Sequence, residues 1–238
     1  MLAPMSSENI WTDFARTYDV IIPRLFCYAA VAQKVYRTLA PYPVVLDAGC
    51  GTGIQSEGLV RRDHTVFGFD NNPAMLARAL EKQERLAEHG VAARWRIQAG
   101  DVVSFPDEAP GDADAVLMNN VIFYVADVQD ALAQARAHLR DGGMILVTGP
   151  RRRPDMEKVL SEETAAWTRA GRDLDELHTS ITEYVGLARQ LVSGAEEMVT
   201  FFTPDELTEA LREAGFCSVV CAEDTDYYGE NYFVAMTA

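Results

Sequence analysis

The sequence has no long apolar run. Nowhere do about 18 consecutive apolar residues occur, so no membrane-spanning helix is expected. Residues 1–9 lack a basic stretch leading into an apolar one, so no signal peptide is expected there. Cysteine is sparse. Cys27, Cys50, Cys217 and Cys221 form no CxxC pair and have no histidine at zinc-finger spacing. No bound metal is expected, and the thiols read as free in a reducing cytoplasm. Basic residues are short too, with 21 Lys+Arg against 36 Asp+Glu, a net charge of −15. Nucleic acid and anionic membranes demand a basic stripe. The densest cluster, Arg151-Arg152-Arg153, is too short to supply one. The charge therefore speaks against both partners and suits a cationic or neutral small molecule, or serves solubility alone.

What is present is globular. Apolar residues make up 48% and charged residues 24%, which separates the chain from disordered sequences. A chain of 238 residues buries roughly 70–75% of its extended surface, enough for one good core. One domain with a smaller appended cap is expected.

Apolar periodicity gives the order of elements. Residues 8–19 place Trp11, Phe14 and Tyr18 on one helical face, and residues 24–39 make a second helix. Both precede the first strong strand, so residues 1–42 read as a helical cap. Then VVLDAG (44–49) reads as a buried parallel strand entering a glycine-rich turn, followed by a helix at 53–62. Strands follow at 65–70, 93–101, 113–120 and 144–150. Helices fall between them at 73–88, opened by Pro73, and at 127–140, stopped by Asp141-Gly142-Gly143. Strands and helices alternating at this spacing predict an α/β fold with a mostly parallel sheet and helices on both faces. The rhythm breaks at 151–200, where two helices at about 154–170 and 173–193 form an insertion. It resumes with a helix at 203–216, capped by Thr203 with Glu206 three residues on, and two closing antiparallel strands.

The chemistry gathers at strand ends. In Asp47-Ala48-Gly49-Cys50-Gly51-Thr52-Gly53 a buried strand carries a carboxylate to a turn whose glycines let a ligand approach the backbone. Ile54 stands where a dinucleotide fingerprint would need glycine. Asp70 ends the second strand, where an acid can accept from both ribose hydroxyls. Gly100-Asp101 follows the third strand, and Asn119-Asn120 the fourth. Polar groups at successive strand ends define one rim of the sheet. Cys50 reads as a small packing residue of the turn.

VLDAGCGTG (45–53), GFDNNPAML (68–76), QAGDVVSFP (98–106), DAVLMNNVIFYVAD (114–127) and LRDGGMILV (139–147), in this order, resemble the class I S-adenosylmethionine-dependent methyltransferases of the small-molecule type. The resemblance covers about residues 11–149 and, more loosely, 203–238. It implies a Rossmann-like seven-stranded sheet, S-adenosylmethionine as methyl donor and S-adenosylhomocysteine as its product. By the same resemblance Asp47, Gly49, Cys50, Gly51 and Gly53 would line the methionine and ribose side. Asp70 would hold the ribose, with Asn71 and Met75 beside the adenine. Gly100 and Asp101 would face the adenine amino group, and Val102 would stack. Asn119 would offer a backbone carbonyl to the methionine amino group. Tyr18 would close over the cofactor.

Phe123 and Tyr124 stand where many relatives carry histidine after the fourth strand. Asn119-Asn120-Val121 is not the motif of nucleobase amino methylation, and the set is a poor match for a metal site. Of the four histidines, His64, His89 and His138 read as distant from the rim. His178, in the insertion, is the candidate general base, with Tyr184 and Tyr124 as alternatives. Tyr227 and Tyr228, between the last strands, are candidates for the acceptor pocket. The insertion reads as a lid over a small-molecule acceptor or as a contact between two copies in a homodimer. Rival readings are an NAD(P)-dependent oxidoreductase and a non-catalytic binding protein on the same fold.

Overall fold

The computed structural model describes residues 7–88, 90, 92–193 and 199–238. His89, residues 1–6 of the expected cap and residues 194–198 of the expected insertion lie outside them. The chain opens with helices α1 (Ser7–Ile21) and α2 (Phe26–Leu39), then alternates β1 (Val44–Ala48), α3 (Ile54–Val60), β2 (Thr65–Asp70), α4 (Pro73–Ala87) and β3 (Trp95–Ala99). After β4 (Ala113–Asn119) come α5 (Val128–Ala137), β5 (Leu139–Pro150), α6 (Met156–Arg169), α7 (Leu174–Ser193) and α8 (Pro204–Glu213). Strands β6 (Ser218–Thr225) and β7 (Asn231–Thr237) close the sheet. Its order is β3-β2-β1-β4-β5-β7-β6, with β7 antiparallel to both neighbours and the other pairs parallel. The mostly parallel sheet expected from the alternation, and the seven strands that the resemblance implies, are present.

Side-chain alternation decides what each face packs against. Leu46 and Ala48 of β1 join Ala131 and Leu132 of α5 and Leu207 and Leu211 of α8 in one core. Val45 joins Val31 and Val35 of α2, Leu59 of α3 and Leu86 of α4 in the other. Asp47 therefore faces the α2/α3/α4 side. Local signals set the helix ends. Asn72 accepts from the N–H groups of Ala74 and Met75 to cap α4, and Thr203 and Glu206 form the expected capping box of α8.

Among the boundaries that differ from the sequence expectation, those of α5 and β3 have a local cause. Helix α5 stops at Ala137 rather than 140, because Leu139 already pairs with Ala113 of β4. The register then shifts before Met144 pairs with Ala115, which absorbs the Gly142-Gly143 bend into β5. Strand β3 spans Trp95–Ala99 instead of 93–101, since residues 92–94 form a single 3-10 turn.

A third apolar cluster lies beside the sheet. Ile21 of α1, Tyr28 and Ala32 of α2, Val159 and Trp167 of α6, and Ile181 of α7 are buried in it together. Glu163 of α6, fully buried, ties these helices: it accepts from the N–H groups of Phe26 and Cys27 at the start of α2, at 3.0 and 2.8 Å, and from the Tyr228 hydroxyl at 2.8 Å. A carboxylate at a helix N-terminus satisfies donors that the helix itself leaves open.

Candidate functional site

The turn after β1 is fastened to the end of β2. The N–H groups of Gly49 and Cys50 donate to the Phe69 carbonyl at 2.8 and 2.9 Å, and the Gly51 N–H donates to Asp70 Oδ2 at 2.8 Å. Asp70 Oδ1 accepts from the Asn72 N–H at 2.8 Å, and the Asp70 carbonyl accepts from Gly100 at 3.1 Å. Thus Asp70 is held by the loops on both sides of it. Burial raises its carboxyl above the ordinary value, against the opposing pull of the Asn72 and Gly51 N–H groups. Each oxygen still has lone-pair capacity for a further donor.

Each glycine of the turn has its own reason. A Cβ on Gly49 would lie 2.5 Å from a Val121 methyl. One on Gly53 would lie 2.8 Å from the Trp95 ring. Gly51 is different: its φ is +55° and nothing lies within 4 Å of where a Cβ would be. The backbone there borders open space, as a ligand cradle requires. Thr52 and Gln55 beside it are buried, and Thr52 Oγ1, Gln55 Oε1 and Gln55 Nε2 have no hydrogen-bond partner among the described residues. Buried polar atoms are normally paired, so these await one.

Asp47 is almost fully buried beneath the turn and accepts from Ser56 Oγ at 2.5 Å. Burial pushes its carboxyl up to about 7, with the Ser56 bond acting the other way. Asp101 accepts from Asn71 Nδ2 and from the Val103 N–H, both at 3.1 Å, so the loops after β2 and β3 meet. Met75 is half-buried on the first turn of α4, and Val102 is buried against the α5/α8 core. The Asn119 side chain accepts from Thr148 Oγ1 at 2.7 Å, which fixes the end of β4 against β5. Tyr18 is half-buried on α1, within electrostatic reach of Asp47 and Tyr124.

The three base candidates separate. Tyr184 stacks on Phe14 at 5.5 Å and stands 6.2 Å from Tyr18. Tyr124 is 47% exposed at the rim, packed on Phe123 at 4.0 Å. His178 is exposed on α7, with its ring nitrogen 3.5 Å from the Thr164 hydroxyl of α6, and is not among the groups gathered around Tyr18 and Tyr184. His64 bonds the Tyr42 carbonyl and His138 the Gln134 carbonyl, both away from the rim as expected.

Lys82 was not legible as a site residue. It is buried on α4, donating to the Thr52 carbonyl at 2.7 Å and to Asp19 Oδ2 of α1 at 2.6 Å. It lies in the polar run Glu81-Lys82-Gln83-Glu84, which reads as a solvated face. Asp19, Tyr28 and Glu163 were missed for a related reason: each falls in a helix that packs against another helix far away in sequence.

Strand order, glycine turn and acids at successive strand ends define a Rossmann-like α/β domain. Residues 45–143 match the family described as methyltransferase domain. A trans-aconitate 2-methyltransferase of Deinococcus radiodurans is 35% identical over 112 residues, 46% of this chain and 39% of that protein. A malonyl-[acyl-carrier protein] O-methyltransferase of a Paenibacillus species is 24% identical over 92% of this chain and 70% of that one. Among solved structures, magnesium protoporphyrin IX methyltransferase from Synechocystis with bound S-adenosylhomocysteine superposes with a TM-score of 0.59 at 17% identity, covering 89% of this chain and 83% of that one. The aligned segments thus span from two fifths to about two thirds of these two curated relatives. The match to that family covers residues 45–143, within a fold that solved methyltransferase structures share.

Proposed function

We propose that this protein transfers the methyl group of S-adenosylmethionine to a small-molecule acceptor. The observation that carries the reading is the pairing of Gly51 and Asp70: a left-handed glycine bordering open space, with its N–H on a carboxylate that ends the next strand. The orphaned polar atoms of Thr52 and Gln55 fit a polar ligand lying against the turn. When bound, the cofactor supplies an electrophilic methyl on a sulfonium, with a neutral thioether as leaving group.

The chain's own residues bind and orient. Asp70 accepts from the ribose hydroxyls. Asn71, Met75, Gly100, Asp101 and Val102 surround the adenine. Asp47, Gly49, Cys50, Gly51, Gly53 and Asn119 line the methionine side. Tyr18 covers it from α1. Residues 7–42 and α6–α7 act as a cap that keeps water from the transfer geometry. Tyr184 and Tyr124 line the acceptor side. Positioning is the main lever, because little else is asked of the protein in an in-line displacement.

The malonyl-[acyl-carrier protein] O-methyltransferase relative favours an oxygen acceptor. The experiment is thermal unfolding with S-adenosylhomocysteine and, in parallel, NAD. At 100 times its dissociation constant a ligand adds about 2.7 kcal/mol of stability. Stabilisation by S-adenosylhomocysteine alone is expected. Stabilisation by NAD alone overturns the reading.

A further inference from the structure

Strands β1 and β4 are neighbours, yet the chain runs from β1 to β2 and β3 on one side and from β4 to β5 on the other. At such a reversal of strand order the strand ends open a crevice, where α/β sheets bind ligands. The two strands end unequally here. The β1–β4 ladder stops at Asp47 and Leu117, whereas β4 stays paired with β5 as far as Asn119 and Thr148. The next donors on the β1 side, the N–H groups of Gly49 and Cys50, both go to the Phe69 carbonyl of β2.

The peptide joining Asn119 to Asn120 therefore has one strand beside it and one open side. Its N–H donates to the Thr148 carbonyl of β5 at 2.9 Å. In a trans peptide the carbonyl points away from the N–H, so the Asn119 oxygen faces the β1 side and the crevice. The hydroxyl of Thr148, itself buried, grips the same place a second time through Asn119 Oδ1 at 2.7 Å.

Asn120 has a φ of +58°. Asparagine visits the left-handed region more readily than most residues, but a residue held there needs support from its surroundings. Asn231 supplies it, donating from Nδ2 to Asn120 Oδ1 at 3.1 Å. Asn231 is 6% exposed at the first position of β7 and pairs with Pro150 of β5. Its neighbour Glu230 accepts from Arg152 and Lys158 through its side chain and from the Arg151 N–H through its carbonyl. Two members of the Arg151-Arg152-Arg153 cluster thus fix the strand end that carries Asn231. Beyond Asn120, Val121 lies against Gly49, and its carbonyl accepts from the Tyr124 N–H at 2.9 Å. The chain is held on both sides of the bend. A φ of ordinary sign at Asn120 then requires the rigid 119–120 peptide to rotate, which swings the Asn119 carbonyl out of the crevice.

We propose that Asn120 and Asn231 are positioning residues for the cofactor's amino group: the Asn231 amide holds Asn120 in its left-handed bend, and the bend keeps the Asn119 carbonyl aimed at the α-ammonium of the methionyl moiety. This rests on the methyl-transfer reading above and deepens it. At the methionyl end the ammonium is the cofactor's donor, since its carboxylate only accepts, and an open backbone carbonyl takes a donor. Asn231 lies 111 positions from Asn120 and acts only through it.

The test measures calorimetrically how the whole protein binds S-adenosylhomocysteine and its deamino analogue, in which hydrogen replaces the α-amino group. The parent protein is expected to prefer S-adenosylhomocysteine by about tenfold or more, as a hydrogen bond to a charged group provides. Asn120→Ala, for which the bend is strained, and Asn231→Ala are each expected to cut that preference by about threefold or more while the analogue binds as before. Asn120→Gly adopts the bend without a partner. It is expected to keep the preference and to make an added Asn231→Ala silent. A structural role alone would move both ligands together or neither. Equal affinity of the parent for the two ligands overturns the proposal, as does a loss in the variants that both ligands share. An undiminished preference in Asn120→Ala overturns it too, which keeps the test decisive should Asn231→Ala fail to fold. A parent protein that does not bind S-adenosylhomocysteine at all overturns the underlying reading instead.

Discussion

Lys82 Nζ lies 2.6 Å from Asp19 Oδ2, and both side chains are only 8% exposed. The same ammonium donates to the Thr52 carbonyl in the glycine turn. One buried cation thus joins the first cap helix to the turn, and Tyr18 sits one residue before the anion it holds. Burial lowers the Lys82 ammonium below its ordinary value, and Asp19 opposes that fall.

Lys82→Met removes the cation and leaves a buried carboxylate to Arg78 alone, 3.2 Å away. Breaking a buried pair from one side costs about 3–5 kcal/mol, and the Arg78 contact reduces that here to about 2–4 kcal/mol. Adding Asp19→Asn is expected to recover part of the loss. Urea unfolding of the two variants checks it, and additive losses contradict it.

Gly51→Ala and Gly49→Ala should part company. At Gly51 a methyl meets no protein atom within 4 Å, so the cost is backbone strain of about 1 kcal/mol at φ +55°. At Gly49 the methyl is driven to 2.5 Å from Val121, and overpacking adds about 1–3 kcal/mol. Thermal unfolding should rank Gly49→Ala well below Gly51→Ala. S-adenosylhomocysteine binding should nevertheless fall at least about tenfold in Gly51→Ala, because the methyl occupies the ligand's side of the turn. Unchanged affinity in that variant contradicts the cradle.

Stability should carry two opposite pH signatures. The Asp47 carboxyl lies at about 7 in the folded chain, against an ordinary 3.8. Raised in the native state, it contributes most below about pH 4 and loses that contribution as pH climbs to about 7. The stability of the parent chain minus that of Asp47→Asn should fall across this interval and stay flat above it. Glu230 behaves the other way. It is buried, bonded by Arg152, Lys158 and the Asp155 N–H, and the Arg152 guanidinium leads in holding it at about 2. Its contribution is present above about pH 4.5 and drains away as pH falls toward 2. Urea titrations of Asp47→Asn and Glu230→Gln at several pH values read both slopes. A pH-independent difference in either variant contradicts its assignment.

The sheet was legible because its signals are local. Buried apolar runs end in Asp70, Gly100 or Asn119, and helix caps such as Asn72 and Thr203 announce themselves within three residues. The Asp47–Gly53 turn was legible for the same reason. The cap was legible as helices but not as a site. Tyr18 needs Tyr184, which lies more than 160 positions away, and Lys82 needs Asp19 across 63 positions. His178 drew attention by residue type alone, and its exposed position beside Thr164 depends on how α7 rotates against α6. Periodicity says that a helix has an apolar face. It does not say which polar residue on the margin is turned inward.

The central claim is that the Gly51–Asp70 corner holds an adenosyl group. A crystal structure of the protein grown with S-adenosylhomocysteine tests it most directly. The account predicts density over the glycine turn with both ribose hydroxyls within hydrogen-bond distance of Asp70 and the adenine amino group beside Asp101. A turn filled by the protein's own side chains, or ligand density elsewhere with Asp70 untouched, would contradict it.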